Sequence, residues 1–516
     1  MHMKRISPSA WMLWMCLILF LAACKKDNQK IPEGNLSTEH TLTSFVFKKD
    51  KNPSLRYDVK AEIIGDTVFA YALPGVEAAA LIPDFTYEGK AVAIGNVEQQ
   101  SGHDKQDFSD LITYNVRAEN GDEHSYIIKL GDTGLPAVYI VTDGKAIDSK
   151  EDYVDAKIRI SKGLQKNVLY EGDLKIRGRG NSTWGMPKKP FRLKLNEKAP
   201  LLGMPSDKNW ALMANYGDKS LLRNDVAFEL SRRLELEYTP RQQYVELFLN
   251  GEYIGNYNLT EHVKEGKNRI NIDEDNGGYI LEADGYAHQE PVYFDTPKGM
   301  PITVKFPDED DITGDQLSYI TDYYTAFENS LFATDFNNPT NGYQQYFDLE
   351  SFVNYYLVNE ICGNPDMFWS MRMYKKSSGD PKIYTGPVWD FDLGFNNDSR
   401  LGDAVKKLML TDAHEPKQWI SRFAQDPNFK KAVRERWNTV KASKIKTINE
   451  YVTQQAKLLS HSQHVNFLRW NILNDPNIHL NWYLGSTYQD YITFLENYLT
   501  VRINWLDGVI NGQQFD

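Results

Sequence analysis

Apolar and polar residues alternate in short runs between residues 41 and 130, and turn residues break the runs at close intervals. Residues 67–73 (TVFAYAL) and 113–118 (TYNVRA) carry the period of two that places alternate side chains on one face of a strand. The second run joins residues 125–130 through Asn120-Gly121, a strong hairpin signal, and Pro74, Gly75, Pro83 and Gly95 punctuate the rest. Residues 41–131 are therefore expected to form an immunoglobulin-like β-sandwich. The segment holds no cluster of titratable groups, which suits a spacer or a binding module.

After a linker at 131–136 (GDTGLP) the texture changes twice. Strand patterns dominate as far as about Val304: residues 137–141, 157–160, 173–176, 191–195, 244–249 and 279–282, with Asn250-Gly251 closing a second hairpin in VELFLNGEYIGNYNL. Helical spacing dominates afterwards. Asp348 can cap a helix with Leu349, Phe352, Val353, Tyr356 and Leu357 on one face, and Gly363 is a natural stop. Asp426-Pro427 opens another helix with Phe429, Val433, Trp437 and Val440 along its stripe; Ile492, Leu495, Leu499, Ile503 and Leu506 mark a last one before Gly508. The expected fold class is α+β, with a two-lobed second domain over 137–510 and a cleft between its halves.

The first residues read as an address. Lys4 and Arg5 precede an apolar run from Ala10 to Ala23 that ends LAAC. A basic start, a short apolar stretch and small residues before a cysteine make residues 1–23 a signal peptide, too short for a comfortable membrane span. LAAC resembles the bacterial lipobox, so Cys24 is the expected lipidation site, residues 24–40 a tether, and the membrane is met through the lipid alone. Lys25 after the cysteine leans towards the outer membrane, with a periplasmic or surface-exposed chain. Of three cysteines only Cys362 then remains, so no intramolecular disulfide is available. Stability must come from buried cores, for which 41% hydrophobic and 13% aromatic content is ample. Loss of Lys4 and Arg5 takes the formal charge from −12 to −14, which argues against nucleic acid as a partner but not against a nucleotide in a local basic pocket.

The chemistry concentrates in YTGPVWDFDLGFNN (384–397). On a strand, Asp390 and Asp392 would share one face, and two acids framed by Trp389, Phe391, Leu393 and Phe395 are costly to bury without a cation between them. A hard cation such as Mg²⁺, which takes carboxylate oxygens and keeps places for phosphate, fits. Other chemistries fall away: Ser182 in GNSTWG is out of register for a GxSxG elbow, and HExxH, CxxC and a Walker lysine loop are missing. The ten histidines are scattered, His262 among them. A glycosidase pair, with carboxylates about 5 to 9.5 Å apart, survives as an outsider in Asp366 with Asp390. The order helix, loop with Asp366, strand, turn, strand, then WDFDLG is the order of catalytic loop and metal-binding DFG in a protein kinase.

KIRGRGNSTWGMPKKPFRLKL, LLGMPSDKNWALMANYGDKSLLRNDVAFEL, LFLNGEYIGNYNLTEHV, GGYILEAD and GPVWDFDLGF, in this order, closely resemble the CotH family of atypical, secreted kinase-like proteins, named after a spore coat protein. The resemblance implies a divergent protein-kinase-like fold that binds ATP and Mg²⁺ (or Mn²⁺) and phosphorylates Ser or Thr of protein substrates. It implies Asp366 in GNPDMFWS as the proton acceptor and Asp390 as metal ligand, with Asp392 a second ligand. Gly178, Gly180, Asn181 and Ser182 form a turn whose N–H groups could cover phosphates, or a tight hairpin only. Lys188, Lys189, Arg192 and Lys194 crowd the next strand; Lys189 or Lys194 is expected at a phosphate, the alternative being a solvated basic edge. Glu261 and Glu282 are candidates to pair with that lysine or touch the nucleotide, Asp218 and Arg223 to brace the cleft. Thr183 stands where a kinase loop has its third glycine, and Ser370 and Met371 stand where an amide metal ligand is expected, so that one ligand is missing or is supplied by Asp392 or Asn396. The rival expectation is a non-catalytic, pseudokinase-like surface protein binding a host protein or glycan.

Overall fold

The computed structural model describes residues 36–515 apart from 165, 166, 417 and 479. The expected leader 1–23, Cys24 and the tether as far as 35 lie outside the described residues. Two sheets share the first core. One joins β1 (Thr41–Phe47), β2 (Val59–Lys60) and β5 (Pro83–Glu88); the other runs in the order β3 (Glu62–Ile64), β4 (Thr67–Ala72), β9 (Glu123–Asp132), β8 (Ile112–Arg117), β6 (Ala91–Ile94) and β7 (Val97–Glu98). Phe45 and Phe85 from the first sheet meet Tyr114 of the second edge to face, at 5.4 and 5.7 Å.

The chain then builds a closed barrel from β10 (Ala137–Val141), β11 (Val154–Lys162), β12 (Asn167–Gly178), β13 (Phe191–Ala199), β14 (Asp207–Met213), β15 (Gln242–Leu249) and β16 (Glu252–Glu261). Closure is made by β10 lying parallel to β15, Ala137 opposite Glu246. The alternation fills the barrel: Ile158, Ile160, Leu174, Ile176, Phe191, Leu193 and Leu195 are buried in one cluster. Asn250 (φ 51°) and Gly251 (φ 80°) form the two-residue turn between β15 and β16, both left-handed as that turn requires. The barrel meets the two N-terminal sheets directly, Tyr139 donating to Pro74 O (3.3 Å) and Arg56 to Gly251 O (2.8 Å), and beside it Tyr71 stacks on His461 in the helical region. A cavity of about 760 Å³ lies at this junction, lined by Tyr57, Leu73, Tyr139 and Phe248.

A third sheet has the order β18 (Tyr293–Asp295), β19 (Pro301–Phe306), β17 (Tyr279–Ala283), β20 (Met371–Lys375) and β21 (Ile383–Thr385). The helices are α1 (Arg223–Arg233), α2 (Gly314–Phe332), α3 (Leu349–Cys362) and, after short α4 (Met409–Asp412) and α5 (Gln418–Phe423), α6 (Pro427–Val440), α7 (Ile448–Leu458), α8 (Ser460–Arg469) and α9 (Tyr488–Ile510); α3 packs on β21, α6 and α9 on α3, and α8 on β16 of the barrel. Among the described residues no helix is long and apolar enough to cross a membrane. The architecture is α+β with several sheets.

Helix α3 carries the largest core. The Asp348 carboxylate caps it by accepting from Ser351 N (2.8 Å), and Gly363 ends it with φ 56°. Every residue from Phe352 to Cys362 is buried, so the helix is a central strut. Near its end Glu360 pairs with Arg502 of α9, Oε1 to Nη2 2.6 Å, with both side chains inaccessible to solvent. Helix α9 departs from the expected stop, running through Gly508 to Ile510. Glycine costs a helix about 1 kcal/mol, less than burying Val509 and Ile510 contributes.

Candidate active-site cleft

A cleft of about 750 Å³ opens where the barrel, the third sheet and the loops after α3 converge. Its first wall is the turn after β12. A Cβ on Gly178 would stand 2.4 Å from the Trp184 ring, and Gly180 has φ 84° with Thr183 Oγ1 filling the place of a side chain. Only glycines let the backbone pass there. Gly180, Asn181 and Ser182 line the cleft, while Gly178 lies beneath Trp184. The N–H groups of Gly180, Asn181 and Ser182 meet no acceptor among the described residues, which leaves three donors available at the cleft wall.

Asp366 comes from the loop that Gly363 releases. Asn364 locks this loop, donating to Asn359 Oδ1 (2.9 Å) and accepting from Asp366 N (3.2 Å). Burial raises the Asp366 carboxyl above its usual range; Arg400 and His414 pull it back, and Asp390 and Asp398 push it up. Arg400 Nη2 lies 3.9 Å from Asp366 Oδ1 and is held by Asp398 at 2.6 Å. His414 Nε2 stands 3.0 Å from the Asp398 carboxylate.

The Asp390–Asp392 segment corrects the strand expectation. β21 stops at Thr385, and Pro387 has no N–H with which to extend the ladder. From there the backbone passes through a series of turns in which Asp390 (φ 68°), Phe395 (φ 55°) and Asn396 (φ 60°) are left-handed. Such conformations cost about 1–3 kcal/mol each and persist only when their surroundings enforce them. Here the enforcement is visible: Phe391 is fully buried and its N–H donates to Asn224 Oδ1 (2.8 Å), while Phe395 N donates to Cys362 O. The turns bring Asp390 and Asp392 together all the same. The Asp392 carboxyl is held far above the carboxylate range by burial, then by Asp390, Asp218 and Asp366, and it shares a hydrogen bond with Asp390.

Glu282 on β17 also lines the cleft, accepting from Arg372 Nη1 (2.7 Å) with Lys305 Nζ at 3.5 Å. Asp218 and Arg223 form a buried ion pair below it. Three expected residues lie elsewhere. Lys189 donates to Trp184 O (2.5 Å) and braces the glycine turn from outside. Lys194 points into solvent, because Leu193 and Leu195 take the barrel interior. Glu261 is buried against Tyr238, Arg241 and Arg269, away from the cleft. The cations that do line the cleft are Arg179, Lys188, Lys305, Arg372 and Arg400. Arg179 sits between Gly178 and Gly180 of the turn motif; His414, Asp398 and Arg400 carry no local signal.

Among the described residues no group of three or more His, Cys, Asp and Glu stands ready to hold a metal ion. Met371 is buried in β20, and Asn396 is engaged with Asp403 and Ala404 N, so neither serves as an amide ligand. The donor set is two carboxylates that repel each other in a half-buried site. This fits Mg²⁺ or Mn²⁺ completing its shell with phosphate oxygens and water, and not a cage made by the protein alone.

A family model described as CotH kinase protein matches residues 176–506. The comparison with curated proteins finds no match. Among solved structures, a crystal structure described as a "putative glycoside hydrolase" from Bacteroides thetaiotaomicron VPI-5482 is similar at 14% identity and a TM-score of 0.16. The likeness covers 48% of this chain and 62% of that one, less than two thirds of its length. It defines neither a fold nor an activity for the cleft.

Proposed function

The chain belongs to the CotH kinase family, and on that premise we propose that it is an atypical protein kinase transferring the γ-phosphoryl group of ATP to Ser or Thr of a protein. The observation that carries this reading is that Asp366, Asp390, Asp392 and the donor-rich glycine turn line one cleft. The kinase-like domain follows an immunoglobulin-like module, and the chain is read as lipid-anchored through Cys24 in the cell envelope.

Asp366 accepts the proton of the substrate hydroxyl. Its carboxyl is raised by burial, which strengthens it as a base, while Arg400 and His414 oppose that rise. Asp390 and Asp392 would hold the metal, and the Gly180, Asn181 and Ser182 N–H groups would cover the phosphates. A bound Mg²⁺ would supply charge neutralisation on the transferred group.

The test is phosphate incorporation from labelled ATP with Mg²⁺ or Mn²⁺, in wild type and in Asp366→Asn and Asp390→Ala. The kinase reading predicts incorporation that both variants lose by about a thousandfold. Nucleotide binding without transfer, equal in wild type and Asp366→Asn, would leave the second reading, a pseudokinase-like surface protein. The burial of Met371 where an amide ligand is expected favours that alternative.

A further inference from the structure

Two arginines, Arg179 and Arg372, line a part of the cleft wall that the reaction scheme leaves unused, and Arg192 and Arg269 lie behind it. His262 is buried behind the cleft, and Arg192, Arg179, Arg372 and Arg269 surround it closely enough to help hold it neutral, far below the usual imidazole range. Among the described residues its Nδ1 has no hydrogen-bond partner, nor do the buried Nε atoms of Arg192 and Arg372. Arg192 is tied to Asn209 Oδ1 (2.8 Å), and Arg372 to Glu282. Arg179 is different. Its backbone is pinned by Arg179 N to Pro190 O (3.3 Å), and its guanidinium lies 5.1 Å over the Trp389 ring. That guanidinium makes no hydrogen bond to any described residue.

The acidic groups facing Arg179 are Asp390 and Glu282, and Arg372 repels it. Glu282 is already shared between Arg372 and Lys305, so the positive charge is only partly offset. A set of guanidinium groups gathered in a desolvated wall is unfavourable alone and becomes favourable when an anion arrives. The glycine turn, whose Gly180, Asn181 and Ser182 N–H groups meet no acceptor among the described residues, lines the same cleft, as does Asp390, where a cation bound to the same anion would be held.

We propose that Arg179, backed by Arg372, forms a polyphosphate subsite and that Arg179 is the residue gripping the phosphate tail of the nucleotide. A planar fork with all its donors open matches two oxygens of a phosphate, which a lysine at this place could not do. Stacking on Trp389 fixes the plane of the fork before the ligand binds. The identity of the polyphosphate as ATP rests on the kinase reading; the subsite itself does not.

The probe is inorganic tripolyphosphate with Mg²⁺, titrated calorimetrically into the full chain, with adenosine as the control. Wild type binds tripolyphosphate in a salt-sensitive manner. Arg179→Met weakens it by about tenfold or more, Arg179→Lys by about threefold or more because the fork is lost, and neither changes adenosine affinity. Arg179→Lys retains the charge, and its melting temperature reports whether the fold is intact. Tripolyphosphate affinity within about twofold of wild type in both variants, or no tripolyphosphate binding by wild type, overturns the subsite. Arg179-dependent binding without phosphoryl transfer would instead remove the kinase reading and leave the subsite standing.

Discussion

Replacing Glu360 by Ala tests how the end of α3 is tied to α4 and α9. The Glu360 carboxylate accepts from Arg502 Nη2 (2.6 Å), Met409 N (2.8 Å) and Leu410 N (3.3 Å), all inside the protein. Truncation leaves the Arg502 guanidinium bonded to Glu360 O and to the carbonyls of residues 404, 405 and 407, but with no opposing charge. Breaking one partner of a buried pair costs about 3–5 kcal/mol, and the two orphaned N–H groups add to that. An overall loss of about 4 kcal/mol lowers the melting transition of the second domain by on the order of 10 °C. Glu360→Gln costs about half as much, since its amide oxygen still accepts from Met409 N. Differential scanning calorimetry of the full chain follows the transition, and Arg502→Met completes a double-mutant cycle. The double variant is expected to recover part of the loss because both charges leave together. A loss under about 1 kcal/mol for Glu360→Ala, or strictly additive effects, would refute the assignment of the pair as an interdependent unit.

Three further outcomes are expected. Burial pushes the Lys188 ammonium down to about 7 from 10.5, so between those values the unfolded chain holds a proton the folded chain lacks. Stability from this group therefore rises with pH across that window and is level below it; urea midpoints should show a slope that Lys188→Met flattens. Gly178→Ala drives a methyl group into the Trp184 ring, costs about 1–3 kcal/mol, and should alter the near-ultraviolet circular dichroism of that indole. Asp392→Asn removes a carboxyl whose folded pKa is raised; the penalty it relieves grows as pH climbs above 3.8. The variant should be more stable than wild type in metal-free neutral buffer, no different in acid, and weaker in binding Mg²⁺ with tripolyphosphate, all readable by thermal melting.

Local signals are legible where local physics decides. Asp348 and Gly363 bound α3 because a cap and a left-handed stop are properties of single residues. Asn250-Gly251 specifies its turn because few other pairs accept two positive φ angles. The alternation in 191–195 tells which residues face inward, but not what lies outside: Arg192 meets another wall and Lys194 meets water. Charge pattern alone points to a phosphate-binding lysine on that face, whereas Arg179, whose guanidinium lines the cleft and bonds no described residue, lies over Trp389, which is remote in sequence. The strand argument that pairs Asp390 with Asp392 fails locally, since the turns at 390–396 are imposed by Asn224 and Cys362. The Asp398–Arg400–His414 group is assembled by tertiary packing and leaves no periodic trace.

The parallel seam between β10 and β15 also sets an order of events as the chain is made. Ala137 waits for Glu246, about 110 residues later, before the barrel can shut, and until then the outer edge of β10 has no neighbour. An exposed strand edge of that kind pairs readily with another chain. A nascent chain halted anywhere between β11 and β15 is therefore sticky, and one released after β16 is not. The boundary between the two states is sharp: whether residue 249, the end of β15, has emerged.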